Sequence, residues 1–317
     1  IVNILLDKKK LNIIRFDHQT LLQIKESTIE LKGLARNYNS ETLINSGGNY
    51  FWLHSEWDKV AEKEILYADK IDIVEGIITE SNKKLLEASR IAGVYENTNS
   101  GLSLLKYNYK FDAAHKRLLV TYRLIPEIRN NKENYDKLGF YVFDEHMNKI
   151  WGSEFSMPYT EAISDNSDFS VDSEGNAYLL AKIYDSEKRR EKDKETGLPA
   201  YHFEVFKFMK GTKKIIIIPV AQDNNYIQEA SIVEGIHHEI IIACTYSKKS
   251  KGKGTDGIFL AILNVNNKID KYMNGYYEFP LDELTKFESE KSKRKMEDKD
   301  DYEVPNLKFR DLNVMDD

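Results

Sequence analysis

The sequence predicts an all-β fold, and three observations carry that expectation. Apolar and aromatic runs of strand length recur from one end of the chain to the other. Turn-forming Gly, Asn and Asp residues separate them at regular intervals, and long helical periodicity is scarce. The 317 residues include 19 Tyr and 14 Phe, a richness that suits half-buried pleated surfaces.

The elements follow in order. "KLNIIRFDHQTLLQIKESTIEL" gives two strands around Asp17, His18 and Gln19, and "NYFWLHSEW" and "EILYADKIDI" give two more. Strand pairs then recur in "SLLKYNYKFDAAHKRLLVTYRL", "LGFYVFDEHMNKIWGSEF", "DFSVDSEGNAYLLAKIYD", "YHFEVFKFMKGTKKIIIIPV", "ASIVEGIHHEIIIACTYS" and "GIFLAILNVNNKIDKYMNGYYEF". The clearest helical stretch is Leu281 to Lys299.

Two kinds of hairpin alternate along this series. One has a turn rich in Asp, Gly and Asn, as in "INSGGNYFWL", "FDAAHKRLLV", "VDSEGNAYLL" and "VEGIHHEIII", with a further copy beginning at "NVMDD". The other sets an aromatic or apolar residue before a polar turn, as in "IRFDHQTLL", "VFDEHMNKIW", "FKFMKGTKKI" and "AILNVNNKI". One hairpin of each kind makes a unit of roughly 50 to 80 residues, and repeated four-stranded sheets are β-propeller blades. The expectation is a β-propeller of four-stranded antiparallel blades, about five blades or blade parts in all. Residues 1–317 then form a single propeller with a partial blade at each end, and 281–306 form a charged insertion between blades. The first strand opens without Met and the last residues stop where a turn should lead onward, so both ends are expected to be truncated. Pairing of Leu307 to Val314 beside Ile1 to Leu6 would close a small ring; without it the blades form an open arc.

Asp172, Gly175, Asn176 and Tyr178 of "VDSEGNAYLL" resemble the D-x-x-G-N-x-Y turn of NHL-type and related bacterial propeller repeats. Together "GFYVFDEHMNKIW", "DFSVDSEGNAYLLAKIYD" and "NGYYEFPLDEL" resemble an uncharacterised family of Bacteroidota-type propeller proteins, a likeness spanning most of the chain. It implies a propeller fold and export to the periplasm or the exterior, and it brings no assigned activity.

The net charge of −6 is mild and argues against a nucleic-acid partner. No apolar run approaches the roughly 18 residues that span a bilayer, so no membrane span is expected. The single cysteine, Cys244, lies in the apolar run "EIIIACTYS", which reads as a buried, inert thiol rather than a nucleophile.

Several clusters have the residue types of chemistry without its spacing. Asp144, Glu145 and His146 occupy a hairpin turn, where Asp bonds its own backbone. His237 and His238 are adjacent on a strand-like run, so they face opposite ways and do not share one ion. "KKSKGKGTDG" lacks the Gly and Ser/Thr positions of a phosphate loop, and no G-x-S-x-G elbow is present. "DNSDFSVDSEGN" lacks the spacing of a calcium loop, although a calcium site made jointly with other loops stays open. The sequence therefore nominates no catalytic residue, no metal-ligand set and no cofactor.

Two features point toward recognition. The charged segments "LIPEIRNNKENYDK", "DSEKRREKDKETGLPA" and "SKKSKGKGTD" each join the first hairpin of a blade to the second, and in a propeller such connections share a face with those between blades. Residues 187–197 and 289–301, dense in charge and poor in apolar anchors, are expected to pack loosely. Aligning the first hairpins also stacks Glu41, Asn108, Asp168, Glu229 and Asp311 in one column, where each innermost strand begins. Such a column either rings a channel mouth that draws a cation or basic group, or supplies acids that bond backbone and pair with neighbouring Lys or Arg. The expected function is a non-enzymatic binding module whose charged face recognises a protein or an envelope component. The alternative is a propeller enzyme acting on glycans as hydrolase or lyase, with acids of the mouth as acid and base.

Overall fold

The computed structural model of the protein describes residues 1–7, 9–31, 34, 38–98, 101–126, 128, 133–220, 223–248, 254–264, 266–280, 282, 286, 289–297, 304–305 and 312. Asp311 and most of Leu307 to Val314 lie outside these residues, as does much of 281–306.

The described residues are almost entirely strands. β1 (Val2–Asp7), β2 (Lys10–Phe16) and β3 (Gln23–Glu30) form a three-stranded antiparallel sheet. β4 (Asn39–Ser46), β5 (Asn49–Asp58), β6 (Lys63–Asp72) and β7 (Ile77–Ala88) form a four-stranded meander. After the short β8 (Ile91–Ala92), β9 (Val94–Thr98) and β10 (Gly101–Leu105) make a two-stranded ribbon. The next meander is β11 (Tyr107–Phe111), β12 (Arg117–Leu124), β13 (Tyr135–Asp144) and β14 (Lys149–Thr160), with β8 added beside β12.

Two further meanders follow. β15 (Ser164–Val171), β16 (Ala177–Tyr184), β17 (Tyr201–Phe208) and β18 (Ile216–Val220) form one. β19 (Tyr226–Glu234), β20 (Ile240–Ser247), β22 (Gly257–Leu263) and β23 (Ile269–Glu278) form the other, and β21 (Gly254–Thr255) pairs outside it with β24 (Val304–Pro305). Consecutive four-stranded antiparallel meanders are the blades of propeller folds, and the chain is all-β of that class. The helix α1 spans Glu290–Glu297, inside the stretch with helical periodicity. Among the described residues no helix is long and apolar enough to cross a membrane.

The chain divides into two compact units. Unit 1 comprises Ile1–Tyr109, His115–Ile125 and Leu138–Glu154; unit 2 comprises Lys110–Ala114, Pro126–Lys137 and Phe155–Asp317. The core of unit 1 gathers Leu11 and Ile13 of β2, Leu31, Trp52 of β5 and Ile71 of β6. Trp52 is fully buried, and its indole N–H donates to Ser40 Oγ at 2.9 Å, which removes the cost of an unpaired donor. In unit 2, Leu180, Phe203 and Val205 of one meander pack with Ile232, Ile242 and Phe259 of the next. Each such side chain contributes about 1.5–3 kcal/mol through burial. Cys244 sits inside this core, and burial pushes its thiol well above the ordinary value, consistent with an inert side chain.

The two kinds of hairpin read from the sequence share one turn. In 144–148, 172–176, 235–239 and 264–268 the first residue's N–H donates to the fifth residue's carbonyl, and the fourth residue's N–H donates to the first residue's carbonyl. The fourth residue takes a positive φ in every copy: 60° at Met147, 85° at Gly175, 65° at His238 and 56° at Asn267. Asp144 accepts the N–H groups of His146 and Asn148 and the Asn148 side-chain amide. Burial pushes its carboxyl up, but these hydrogen bonds outweigh that and hold it below the ordinary value. Asp144, Glu145 and His146 are therefore the corner of a hairpin. Asp172 repeats the arrangement with Asn176 and also accepts the Tyr178 hydroxyl at 2.7 Å, so every fixed position of D-x-x-G-N-x-Y has a bond or a φ to account for it.

The segment 187–197 is mostly exposed, as its charge leads one to expect, and is tied down at a few points. The Arg189 guanidinium donates to the carbonyls of Glu161, Ala162 and Ser164 and to Asp165, whose oxygen lies 2.8 Å away. Asp193 caps the turn at Glu195 and Thr196, and Tyr226 donates its hydroxyl to the Gly197 carbonyl. Charge density signals an exposed loop, but the five fixed donors of one arginine are enough to pin it.

Candidate binding cleft

The first strands of three meanders carry the same irregularity. In β4 the register skips Glu41, between Ser40 opposite His54 and Thr42 opposite Leu53. In β15 it skips Ser167, and in β19 it skips Gln228. Each skipped residue is a β-bulge, which bends the strand and turns successive side chains toward one side. Glu41 thus occupies the bulge itself, whereas Asp168 and Glu229 each stand one residue beyond it.

In unit 2 the bulges open a cleft of about 490 Å³. Ser167 and Asp168 of β15 line it together with Gln228, Glu229 and Ser231 of β19, and Lys110 reaches it from β11. Two of the acids aligned in the sequence, Asp168 and Glu229, therefore meet at one cleft. Glu41 and Asn108 belong to unit 1, and Asn108 is exposed on β11.

Asp168 is held by four donors. Lys110 Nζ lies 2.8 Å from Oδ1, which also accepts the Phe169 N–H at 2.8 Å. Ser231 donates its hydroxyl to Oδ2 at 2.5 Å, and the Ile232 N–H donates to the same oxygen at 3.1 Å. The carboxylate is 14% exposed and its charge is compensated where it stands. Lys182, also on the cleft wall, pairs with Glu191 at 3.0 Å and lies 3.7 Å from the centre of the Tyr201 ring. The aromatic lining residues Tyr184 and Phe203 are 8% and 2% exposed, members of the core rather than open platforms. Burial, with Glu191 and Asp165 nearby, pushes the Tyr184 phenol up to about 12, so it keeps its proton at neutral pH.

Glu41 has its own polar nest in unit 1. Ser55 donates its hydroxyl to Oε1 at 2.5 Å and Asn39 donates at 2.9 Å, while burial pushes the carboxyl above its ordinary value. The half-buried Lys106 pairs with the buried Glu64 at 2.5 Å close by. Among the described residues no group of three or more His, Cys, Asp or Glu is placed to hold a metal ion. His238 is a turn residue whose Nδ1 lies 3.1 Å from Glu234 Oε1.

Three contributors escaped the sequence reading. Lys110 and Ser231 complete the Asp168 site; a signal existed for Lys110, which stands two residues beyond Asn108 and so shares its strand face. Glu234 is the third. Its side chain is fully buried, and it accepts the N–H groups of Ala113 at 2.8 Å and Ser173 at 2.7 Å, tying two hairpin turns to its own.

No family model matches the chain, and no curated protein matches it. Among solved structures it is similar to an endo-arabinase from Bacteroides thetaiotaomicron, at 11% identity, covering 86% of this chain and 95% of that one, with a TM-score of 0.32. It is also similar to the β-propeller domain of the Trilobed protease from Pyrococcus furiosus, at 13% identity over 86% and 67% of the two chains, with a TM-score of 0.37. A protein of unknown function from Bacteroides caccae aligns at 11% identity over 83% and 68%, with a TM-score of 0.31. At such values the likeness carries no argument about activity, substrate or partner, and the fold rests on the strand order.

Proposed function

We propose that this protein is a non-enzymatic binding module of the propeller class, recognising another protein or an envelope component through the cleft of unit 2 and the charged connections beside it. In this reading residues 1–317 form one propeller, with 281–306 as an insertion between blades. The observation that supports it is the Asp168 site. A carboxylate already fixed by Lys110, Ser231 and the Ile232 N–H offers a rigid, charge-balanced polar surface. Rigid polar groups suit recognition, whereas acid–base work needs a carboxyl that takes up and releases a proton near the working pH. The resemblance to exported Bacteroidota-type propeller proteins supports an envelope partner.

Photo-crosslinking from Ser167 to an envelope fraction, followed by titration with the purified partner, tests this reading. Asp168→Asn with Glu229→Gln should weaken that binding at least tenfold while leaving the folded state intact. Parent-like binding by the double variant would make these acids scaffold pieces. The glycan-enzyme reading draws on one observation, that Asp165, Asp168 and Glu229 line the same cleft. Turnover of a polysaccharide panel, lost in the same double variant, would favour it over binding alone.

A further inference from the structure

Unit 1 holds a second cleft, of about 520 Å³, between β3 and the β6–β7 hairpin. Its size lies within the usual range for small-molecule sites. Ile29, Leu31, Leu34 and Ile78 supply apolar wall, and Asp69 lies in the lining although it is only 4% exposed. A buried carboxylate in an apolar wall is costly unless it is bonded and its charge is answered.

The backbone is bent to place it there. β6 and β7 pair Ala68 with Lys83 and Lys70 with Glu80, so Ser81 and Asn82 stand opposite the single residue Asp69. Asn82 takes a φ of 55°, and its N–H donates to Asp69 Oδ1 at 2.6 Å. His54 Nε2 lies 3.3 Å from the same oxygen. The His54 ring is stacked between Trp52 and Tyr67, at 4.4 and 5.5 Å between centroids, and its Nδ1 is buried without a partner. The tautomer that leaves no buried N–H unpaired therefore carries its hydrogen on Nε2 and donates it to Asp69. Bonded through Nε2 alone, with Nδ1 unpartnered, the imidazole orients the carboxylate, and among the described residues no Lys or Arg is bonded to it. Both bonds fall on Oδ1, and among the described residues Oδ2 takes none.

The contrast with Asp168 lies in the lining. Asp69 brings negative charge to the wall, Glu30 beside it is paired with Lys10 at 3.9 Å, and no Lys, Arg or His is among the described lining residues. We propose that this cleft binds a small amphipathic amine, its ammonium on Asp69 Oδ2 and its apolar body along Ile29, Leu31 and Ile78. This site is independent of the cleft of unit 2 and does not rest on the function proposed for it.

Isothermal titration of the whole chain with n-hexylamine, against n-hexanol of the same apolar body, tests the assignment. Hexylamine should bind at least tenfold more tightly than hexanol. Asp69→Asn should remove that preference and leave hexanol binding unchanged. Ser81 is exposed on the rim, so Ser81→Trp should fold and block both ligands. The Trp variant also settles the matter if Asp69→Asn fails to fold. Equal binding of amine and alcohol, hexylamine affinity unchanged in Ser81→Trp, or no saturable hexylamine binding at millimolar concentration would each overturn the proposal.

Discussion

The two clefts, one in each compact unit, set a carboxylate in their wall and treat it in opposite ways. Asp168 is met by an ammonium, a hydroxyl and backbone N–H groups, and its charge is balanced within the protein. Asp69 is met by a backbone N–H and an imidazole, both on one oxygen, and among the described residues no Lys or Arg is bonded to it. The same residue type on the same kind of sheet is thus met by a lysine in one unit and, among the described residues, by an imidazole and a backbone N–H in the other. What differs is whether a neighbouring strand brings a lysine within reach.

Glu234 marks the extreme of this comparison, a carboxylate closed off entirely and devoted to two backbone N–H groups and His238. Glu234→Ala takes the acceptor from the Ala113 and Ser173 N–H groups, of which Ala113 is exposed and Ser173 half-buried, and should cost about 1–2 kcal/mol in urea unfolding. A loss below about 0.5 kcal/mol would show that water replaces it and that its closure is not structural.

Lys110→Met asks whether charge balance alone separates the clefts. Lys110 is 37% exposed, so its pair with Asp168 should contribute only about 0.5–1 kcal/mol to stability. Ligand preference should change more than stability does. With the ammonium gone, the cleft of unit 2 should gain hexylamine binding that the parent cleft lacks, read by chemical-shift changes near Ser231. Unchanged shifts there would mean that shape, not charge, distinguishes the sites.

A pH series sharpens the same point inside unit 1. Burial holds the Glu41 carboxyl above its ordinary value near 4.5, so the folded state binds this proton more tightly than the unfolded chain. Its contribution is most favourable below that value and declines as pH rises through the raised one. Asp144 is held below its ordinary value near 3.8, so its contribution is present above 3.8 and declines as pH falls through the depressed one. Glu41→Gln should remove the decline on the alkaline side, and Asp144→Asn the decline on the acid side. Parallel stability curves for parent and Glu41→Gln between pH 4 and 8 would refute the first assignment.

The last comparison lies within the shared turn. Gly175→Ala places a side chain at a φ of 85° and should lose about 1 kcal/mol. Asn267→Gly, at the equivalent position with a φ of 56°, should change stability by no more than about 0.5 kcal/mol, with a gain favoured. Thermal unfolding of both variants compares one backbone position in two copies of the turn.

The strands, the hairpins and the corner at Asp144 were legible because their signals are local. Side chains alternate with period two along a strand, and an Asp at the head of a turn bonds groups two and four residues onward. The sequence by itself therefore determined the all-β class and the Asp172–Asn176–Tyr178 turn. Tertiary structure alone decided which acids are answered. Ser231 reaches Asp168 across 63 positions in the chain, and Lys110 comes from another strand again. The bulges at Glu41, Ser167 and Gln228 depend on pairing with a second strand, and they set the aligned acids one residue out of step with each other. Arg189 ties a charged loop to carbonyls 25 to 28 positions away. Period and turn chemistry act over a few residues, whereas charge compensation depends on which strands become neighbours, and that neighbourhood exists only once the sheets have assembled.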